Sequence, residues 1–260
     1  MSIYDEAFYK DQMQESYLSA KEMIAYVKPY IPKIHNVIDI GCGVGTWLKA
    51  WKEIGGGGID IFGIDGNNVD ETLFYIPKQS YAQVDLTKNY KQISKSIEKK
   101  FKMKKFDLVE SLEVAEHFDE KYAENFIQLL TSLGDIVLFS AAIPYQGGTH
   151  HVNEQPPYYW AKLFNQFDFV CFDIHPSFWD DDEIAFWYRQ NTLLYVHKDK
   201  ANLFDKAGLK PVSKPLHLVR PEYIKIYCEN FKKFHTLYER RTFRYYWRHP
   251  KKIFSIFKKD

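Results

Sequence analysis

Apolar positions along the first two hundred residues alternate between a helical period and continuous buried runs. Met13, Tyr17, Ala20, Ile24 and Val27 recur at helical spacing, and Pro29 and Pro32 end that segment. An apolar run at 36–40 predicts a buried strand, after which Val44, Leu48 and Trp51 share a helix face. Gly55 to Gly58 turn the chain into a second strand at 59–65. A short strand at 81–84 is followed by Asp85, a helix at about 89–100, and a fourth strand at 106–110. Helical spacing returns at Tyr122, Phe126, Leu129, Leu130 and Leu133, ahead of a strongly apolar fifth strand at 135–141. Pro156 and Pro157 open a further helix, and two more strands are expected at 167–174 and 190–196.

Strand–helix alternation with continuously apolar strands predicts an α/β fold: a doubly wound, Rossmann-like, seven-stranded and mostly parallel sheet covered on both faces. Such sheets bind ligands beyond the carboxyl ends of their strands. Asp39, Asp65, Asp85 and Glu110 all fall at or near predicted strand ends. Residues 1–200 are expected to form this domain and 201–260 a helical C-terminal extension. Within the extension Ile224, Tyr227, Phe231, Phe234 and Tyr238 keep helical spacing.

Composition narrows the partners. A net charge of +1 gives no global electrostatic footprint for nucleic acid, and none is expected as a partner. Cys42, Cys171 and Cys228 are odd in number and widely spaced, which fits neither a disulfide framework nor a zinc site. The N-terminal stretch is acidic and polar rather than signal-like, and no apolar run is long enough to span a bilayer, so a cytoplasmic setting is expected. Residues 240–259 differ: Arg240, Arg241, Arg244, Arg248, Lys251 and Lys252 interleave with Phe243, Tyr245, Tyr246 and Trp247. This tail reads either as a helix packed on its own domain or on a second copy of the chain, or as a peripheral contact with an anionic membrane.

The segment Val37-Ile38-Asp39-Ile40-Gly41-Cys42-Gly43-Val44-Gly45-Thr46-Trp47 is the most telling in the chain. A strand ends, three alternating glycines bring bare backbone towards a ligand, and a helix begins at once. A dinucleotide fingerprint needs G-x-G-x-x-G; here the third glycine comes one residue early and position 46 is Thr, which disfavours a nicotinamide cofactor. Asp39 to Gly45 instead resembles the first motif of class I S-adenosylmethionine-dependent methyltransferases, and the element order resembles that family from about residue 11 to residue 197. The resemblance implies S-adenosylmethionine as cofactor, held around Asp39, Gly41, Cys42, Gly43, Gly45, Thr46 and Trp47. It also implies Asp65 and Gly66 at the ribose, Asp85 and Leu86 at the adenine, and Glu110, Ser111 and Tyr17 nearby. Read from the residues alone, Asp65 also suits a turn before Gly66-Asn67, Asp85 a cap, and Tyr17 core packing.

Ser111-Leu112-Glu113-Val114-Ala115-Glu116-His117 is similar to the segment after the fourth strand of many small-molecule methyltransferases. Gly147-Gly148-Thr149-His150-His151-Val152-Asn153-Glu154-Gln155 and Trp187-Tyr188-Arg189-Gln190-Asn191 resemble methyltransferases of bacterial surface-glycan gene clusters. That implies a small-molecule or nucleotide-linked glycan precursor, or a nucleotide-linked phosphoramidate, as acceptor. Methyl transfer to a hydroxyl needs alignment and removal of one proton, for which imidazole is suited. His151, oriented by Glu154, is the preferred base and His117 the second candidate. His117, His150, His151, Glu113 and Glu116 are residue types that could ligate a metal, but none is expected, because they lack H-x-x-x-H or carboxylate-bridged spacing. A cofactor-binding subunit without catalytic activity, on the same fold, is the alternative function.

Overall fold

The computed structural model describes residues 6–31, 33–68, 70–205 and 208–241, with side chains from Met13 to His235 apart from that of Asp205. Helix α1 (Glu6–Val27) leads into β1 (Asn36–Ile40), α2 (Thr46–Ile54), β2 (Asp60–Asp65), β3 (Tyr81–Gln83) and α3 (Tyr90–Phe101). Then come β4 (Leu108–Leu112), α4 (Ala123–Leu133), β5 (Ile136–Ser140), α5 (Pro157–Asn165) and β6 (Phe169–Phe172). The chain continues through α6 (Phe186–Asn191), β7 (Leu193–His197), α7 (Asn202–Asp205), β8 (Pro211–Val212) and α8 (Pro221–Arg241).

The strands form one sheet in the order β3-β2-β1-β4-β5-β7-β6-β8. The five strands from β3 to β5 are parallel, and β7 inserts antiparallel between β5 and β6. All seven expected strands occur. An eighth, β8, adds an antiparallel edge to β6; two residues led by proline carry no strand signal of their own.

Strand side chains alternate between two cores. Val37, Leu108, Leu138 and Leu194 pack with Met23, Ile24, Leu48 and Trp51 from α1 and α2. Ile38, Val109, Val137 and Tyr195 pack with Ile97, Phe126, Leu130, Trp160 and Phe164 from α3, α4 and α5. Burial on both faces is why these strands read as unbroken apolar runs. Each fully buried Leu, Ile or Phe contributes about 1.5–3 kcal/mol.

Two element boundaries differ from expectation, and both bear on the site. Phe106 makes only an isolated bridge to Gly134, so β4 starts at Leu108 and continues through Leu112. Glu110 is therefore not a strand-end carboxylate: it pairs in register with Asp39 in mid-sheet and is fully buried. Its carboxylate accepts a hydrogen bond from Trp51 Nε1 at 2.7 Å. Gln190 and Asn191, expected to begin a strand, instead end the short helix α6.

The chain forms two compact units, residues 1–218 and 219–260. In the second, α8 confirms the helical spacing expected there, with Ile224, Tyr227, Phe231 and Phe234 exposed. The side chain of Tyr238 and residues 242–260, with most of the basic aromatic tail, lie outside the described residues. No helix among the described residues is long and apolar enough to cross a membrane.

Burial raises the Glu110 pKa from 4.5 to about 8, the Trp51 hydrogen bond only partly opposing it. A raised carboxyl pKa means that the folded protein holds this proton more tightly than the unfolded chain. The stabilisation is full below pH 4.5 and is lost as pH rises through about 8. Urea denaturation across that range should show this fall, and Glu110→Gln, which keeps the acceptor for Trp51, should flatten it.

Candidate functional site

The chain between β1 and α2 turns through three glycines with positive φ: Gly41 at 90°, Gly43 at 52° and Gly45 at 84°. A Cβ on Gly41 would lie 2.5 Å from the Val114 side chain, and one on Gly45 2.8 Å from Ile76, so both are packing glycines. A Cβ on Gly43 would meet nothing within 4 Å, because that residue faces open space. The loop is pinned to the end of β2. Gly41 and Cys42 N–H both donate to the Ile64 carbonyl, and Gly43 N–H donates to Asp65 Oδ2 at 2.8 Å. The other Asp65 oxygen accepts from Asn67 N–H at 2.7 Å. Burial raises the Asp65 pKa, and these hydrogen bonds oppose the rise.

The loop forms one wall of a cleft of about 220 Å³ beyond the carboxyl ends of β1, β2 and β4. Asp39, Gly41, Cys42, Gly43, Thr46 and Trp47 line it, all of them among the sequence-predicted residues. Across from them stand Met13 and Ser16 of α1, Asn67, Leu112, Glu113 and Tyr188 of α6. Ser16 Oγ ties these elements together, 3.0 Å from Thr46 Oγ1 and 3.3 Å from the Tyr188 hydroxyl. Tyr188 also packs edge-on against Trp47 at 5.0 Å. Asp39 is almost fully buried; loss of solvent, followed by the nearby Glu110 and Asp65 carboxylates, raises its pKa well above the usual range.

Other predicted residues stand elsewhere. Tyr17 points away from the cleft: its hydroxyl donates to Glu53 and the Lys49 ammonium lies 4.5 Å from its ring. Its neighbour Ser16 takes the place expected for it. Ser111 Oγ donates to the Ile40 carbonyl at 2.8 Å and stitches β4 to β1 within the core. Leu86 is buried against Ile64 and Ile93. Asp85 is exposed and accepts from Thr87 N–H at 3.0 Å and from Thr87 Oγ1 at 2.6 Å, a local turn that lowers its pKa. Gly66 follows Asp65 at the exposed edge of the loop.

Glu113 was not among the cofactor or catalytic residues expected from the sequence. It follows β4 in the left-handed conformation, φ 56°, and its N–H donates to Ser140 at the end of β5. Asn191 Nδ2 donates to both of its carboxylate oxygens, at 3.0 and 3.1 Å, and Gln146 Nε2 reaches it at 3.4 Å. Burial raises its pKa to about 7 against those hydrogen bonds. A left-handed glutamate leaves no mark in a sequence; only its place in the Ser111–His117 segment could have drawn attention to it.

The candidate acid–base residues stand on the loops that follow β4 and β5, and none of them is among the residues lining the cleft. His151 Nδ1 is 3.0 Å from Glu154 Oε1, which also accepts from Gly147 N–H. His117 stacks edge-on to His151, ring centroids 4.9 Å apart. Loss of solvent on its inner side, then the charge of His151, lowers the His117 pKa. Val152 and Asn153 N–H both donate to the Glu116 carbonyl, fixing the histidine loop to the turn after β4. Gly148 is a close approach: a Cβ there would strike the His151 ring at 2.3 Å.

The chain belongs to the methyltransferase domain family, which it matches over residues 9–213, and it is an S-adenosylmethionine-dependent methyltransferase. Sequence comparison with curated proteins finds no match. Among solved structures it is similar to a SAM-dependent methyltransferase from Archaeoglobus fulgidus, at 22% identity and a TM-score of 0.50, over 64% of this chain and 77% of that one. A candidate O-methyltransferase from Nostoc punctiforme gives 13% identity and a TM-score of 0.51 over 73% and 58%. Magnesium protoporphyrin IX methyltransferase from Synechocystis gives 17% identity and 0.48 over 76% and 90%. The first two likenesses concern the fold.

The cleft suits the family's cofactor. Gly43 leaves room, and Asp39 and Trp47 both line the space. Gly41→Ala should cost about 2–5 kcal/mol in urea denaturation, through backbone strain and overpacking against Val114. Gly43→Ala should cost about 1–2 kcal/mol for its left-handed backbone. Its main effect should instead be a large loss of affinity for S-adenosylhomocysteine by calorimetry.

Proposed function

We propose that this methyltransferase transfers the methyl group to a hydroxyl of a surface-glycan precursor, such as a nucleotide-linked sugar or a nucleotide-linked phosphoramidate. One observation carries the reading: the His151–Glu154 pair at 3.0 Å, with the His117 ring edge-on to His151 on the loops that follow β5 and β4. When bound, S-adenosylmethionine supplies an electrophilic methyl on sulfur. Asp65 holds the loop around Gly43, and Asp39 and Trp47 present the polar groups that orient the ligand. On the acceptor side, Glu154 accepts from Nδ1–H of His151, which leaves Nε2 with a lone pair to take the hydroxyl proton. Tyr145, 82% exposed beside Gln146, is free to stack on a sugar or base ring, whereas Tyr158, 48% exposed on α5, already carries the Lys214 ammonium over its ring.

The resemblance of the Gly147–Gln155 and Trp187–Asn191 segments to surface-glycan methyltransferases supports this acceptor class. A cytoplasmic enzyme acting on soluble precursors is the corresponding setting, with membrane contact or self-association through the C-terminal tail as additional features.

The test is methyl transfer from labelled S-adenosylmethionine to a panel of nucleotide sugars and nucleotide phosphoramidates, followed by mass spectrometry. His151→Ala should lower kcat by about 10²–10⁴-fold while S-adenosylhomocysteine affinity stays unchanged. Turnover on none of the panel by protein that binds cofactor would sink the glycan assignment.

A further inference from the structure

Outside the cofactor cleft, one cluster sets a buried carboxylate against two imidazoles. Glu116 follows β4 in a short helical turn, Ala115–His117, and is fully buried. Its carboxylate is reached by the backbone N–H groups of Glu116 and Ala142, and the Glu113 carboxylate lies beside it. Two adjacent carboxylates held away from solvent repel, and a cation beside them relieves that repulsion. Within reach are His117 and His151, which with Glu116 offer one ligand atom each, all within 4.8 Å of one another. Imidazoles and a carboxylate so grouped are a donor set for a metal ion.

We infer that Glu116, His117 and His151 form a binding site for a divalent first-row transition cation. Three features support it besides the spacing. Glu154 engages Nδ1 of His151 and so leaves Nε2 as the available ring nitrogen, the outer-carboxylate arrangement that orients metal-bound histidines. Gly148 lies flat on the His151 ring, where a side chain would displace it. The Val152 and Asn153 bonds to the Glu116 carbonyl clamp the two ligand-bearing loops together. Two imidazoles favour manganese, iron, cobalt or zinc over magnesium or calcium, which prefer all-oxygen sites. Three protein ligands leave positions open for an acceptor oxygen.

The site departs from the sequence expectation of no metal because its ligands come from two loops rather than one spaced motif. It deepens the hydroxyl-methylation reading and rests on it for its chemical role, though not for its existence. A cation here would bind the acceptor hydroxyl and lower its pKa. The proton passes to water, the oxygen forms its bond to the methyl carbon, and the carbon–sulfur pair remains on sulfur. His151 then serves as a ligand rather than as the base.

The test is binding of Mn²⁺ alone to chelator-treated full-length protein, followed by the loss of the free-ion electron paramagnetic resonance signal, with Zn²⁺ competition. One Mn²⁺ per chain, displaced by Zn²⁺, is expected. Glu154→Gln should weaken it by about 10–100-fold, as loss of an outer partner does. His117→Ala and Glu116→Gln should weaken it more. S-adenosylhomocysteine binding, measured on each variant, establishes that it is folded. Absence of stoichiometric binding in wild-type protein, or equal binding in folded His117→Ala, overturns the site and leaves the histidine-base reading standing. Cation binding without turnover on any glycan acceptor upholds the site and removes the glycan assignment instead.

Discussion

The clamp between the loop after β1 and the end of β2 is the constraint on which the cleft depends. Gly41 and Cys42 share the Ile64 carbonyl, and Gly43 reaches the Asp65 carboxylate at 2.8 Å. A glycine loop without such anchors would sample many backbone states, at an ordering cost of about 1–2 kcal/mol per residue on ligand binding. With them the loop is set beforehand, and Thr46 and Trp47 enter the first turn of α2 already facing the space. Ser16 then joins α1 and α6 to the same turn, so three sequence-distant elements enclose one volume.

Beneath the clamp the sheet carries an unusual burden. Asp39 and Glu110 are neighbours in register on β1 and β4, both buried, in a region otherwise packed with apolar side chains. Two charges there would each lose several kcal/mol of hydration. Burial disfavours the charged form of each, and the pKa of both groups is raised accordingly. The fold thus keeps two acidic residues in the sheet beneath the cleft.

Much of this was legible from residue order. Apolar runs located the strands because both faces of the sheet are covered, and the alternating glycines located the cleft because glycine adopts φ values near 50–90° without steric cost. What escaped depended on side-chain direction. Tyr17 and Ser16 are one position apart on α1, a turn of about 100° on a helix, and the larger residue was given the role that the smaller one fills. Phe106 looked like the start of a strand because it is apolar, which moved Glu110 to a strand end that it does not occupy. The six residues of α6 are too few to show a helical period. Asn191 and Glu113, far apart in sequence, meet only once β7 has inserted beside β5.

Three non-glycine residues around the histidine loops, Glu113, Tyr145 and His150, hold left-handed backbone with φ of 56°, 69° and 61°. Each such residue costs about 1 kcal/mol or more that glycine or asparagine would not incur. A lineage that kept the fold but lost selection for catalysis would gain stability by drifting to those residues there. Among relatives, the identity of these three positions would then separate working enzymes from descendants that retain only the scaffold.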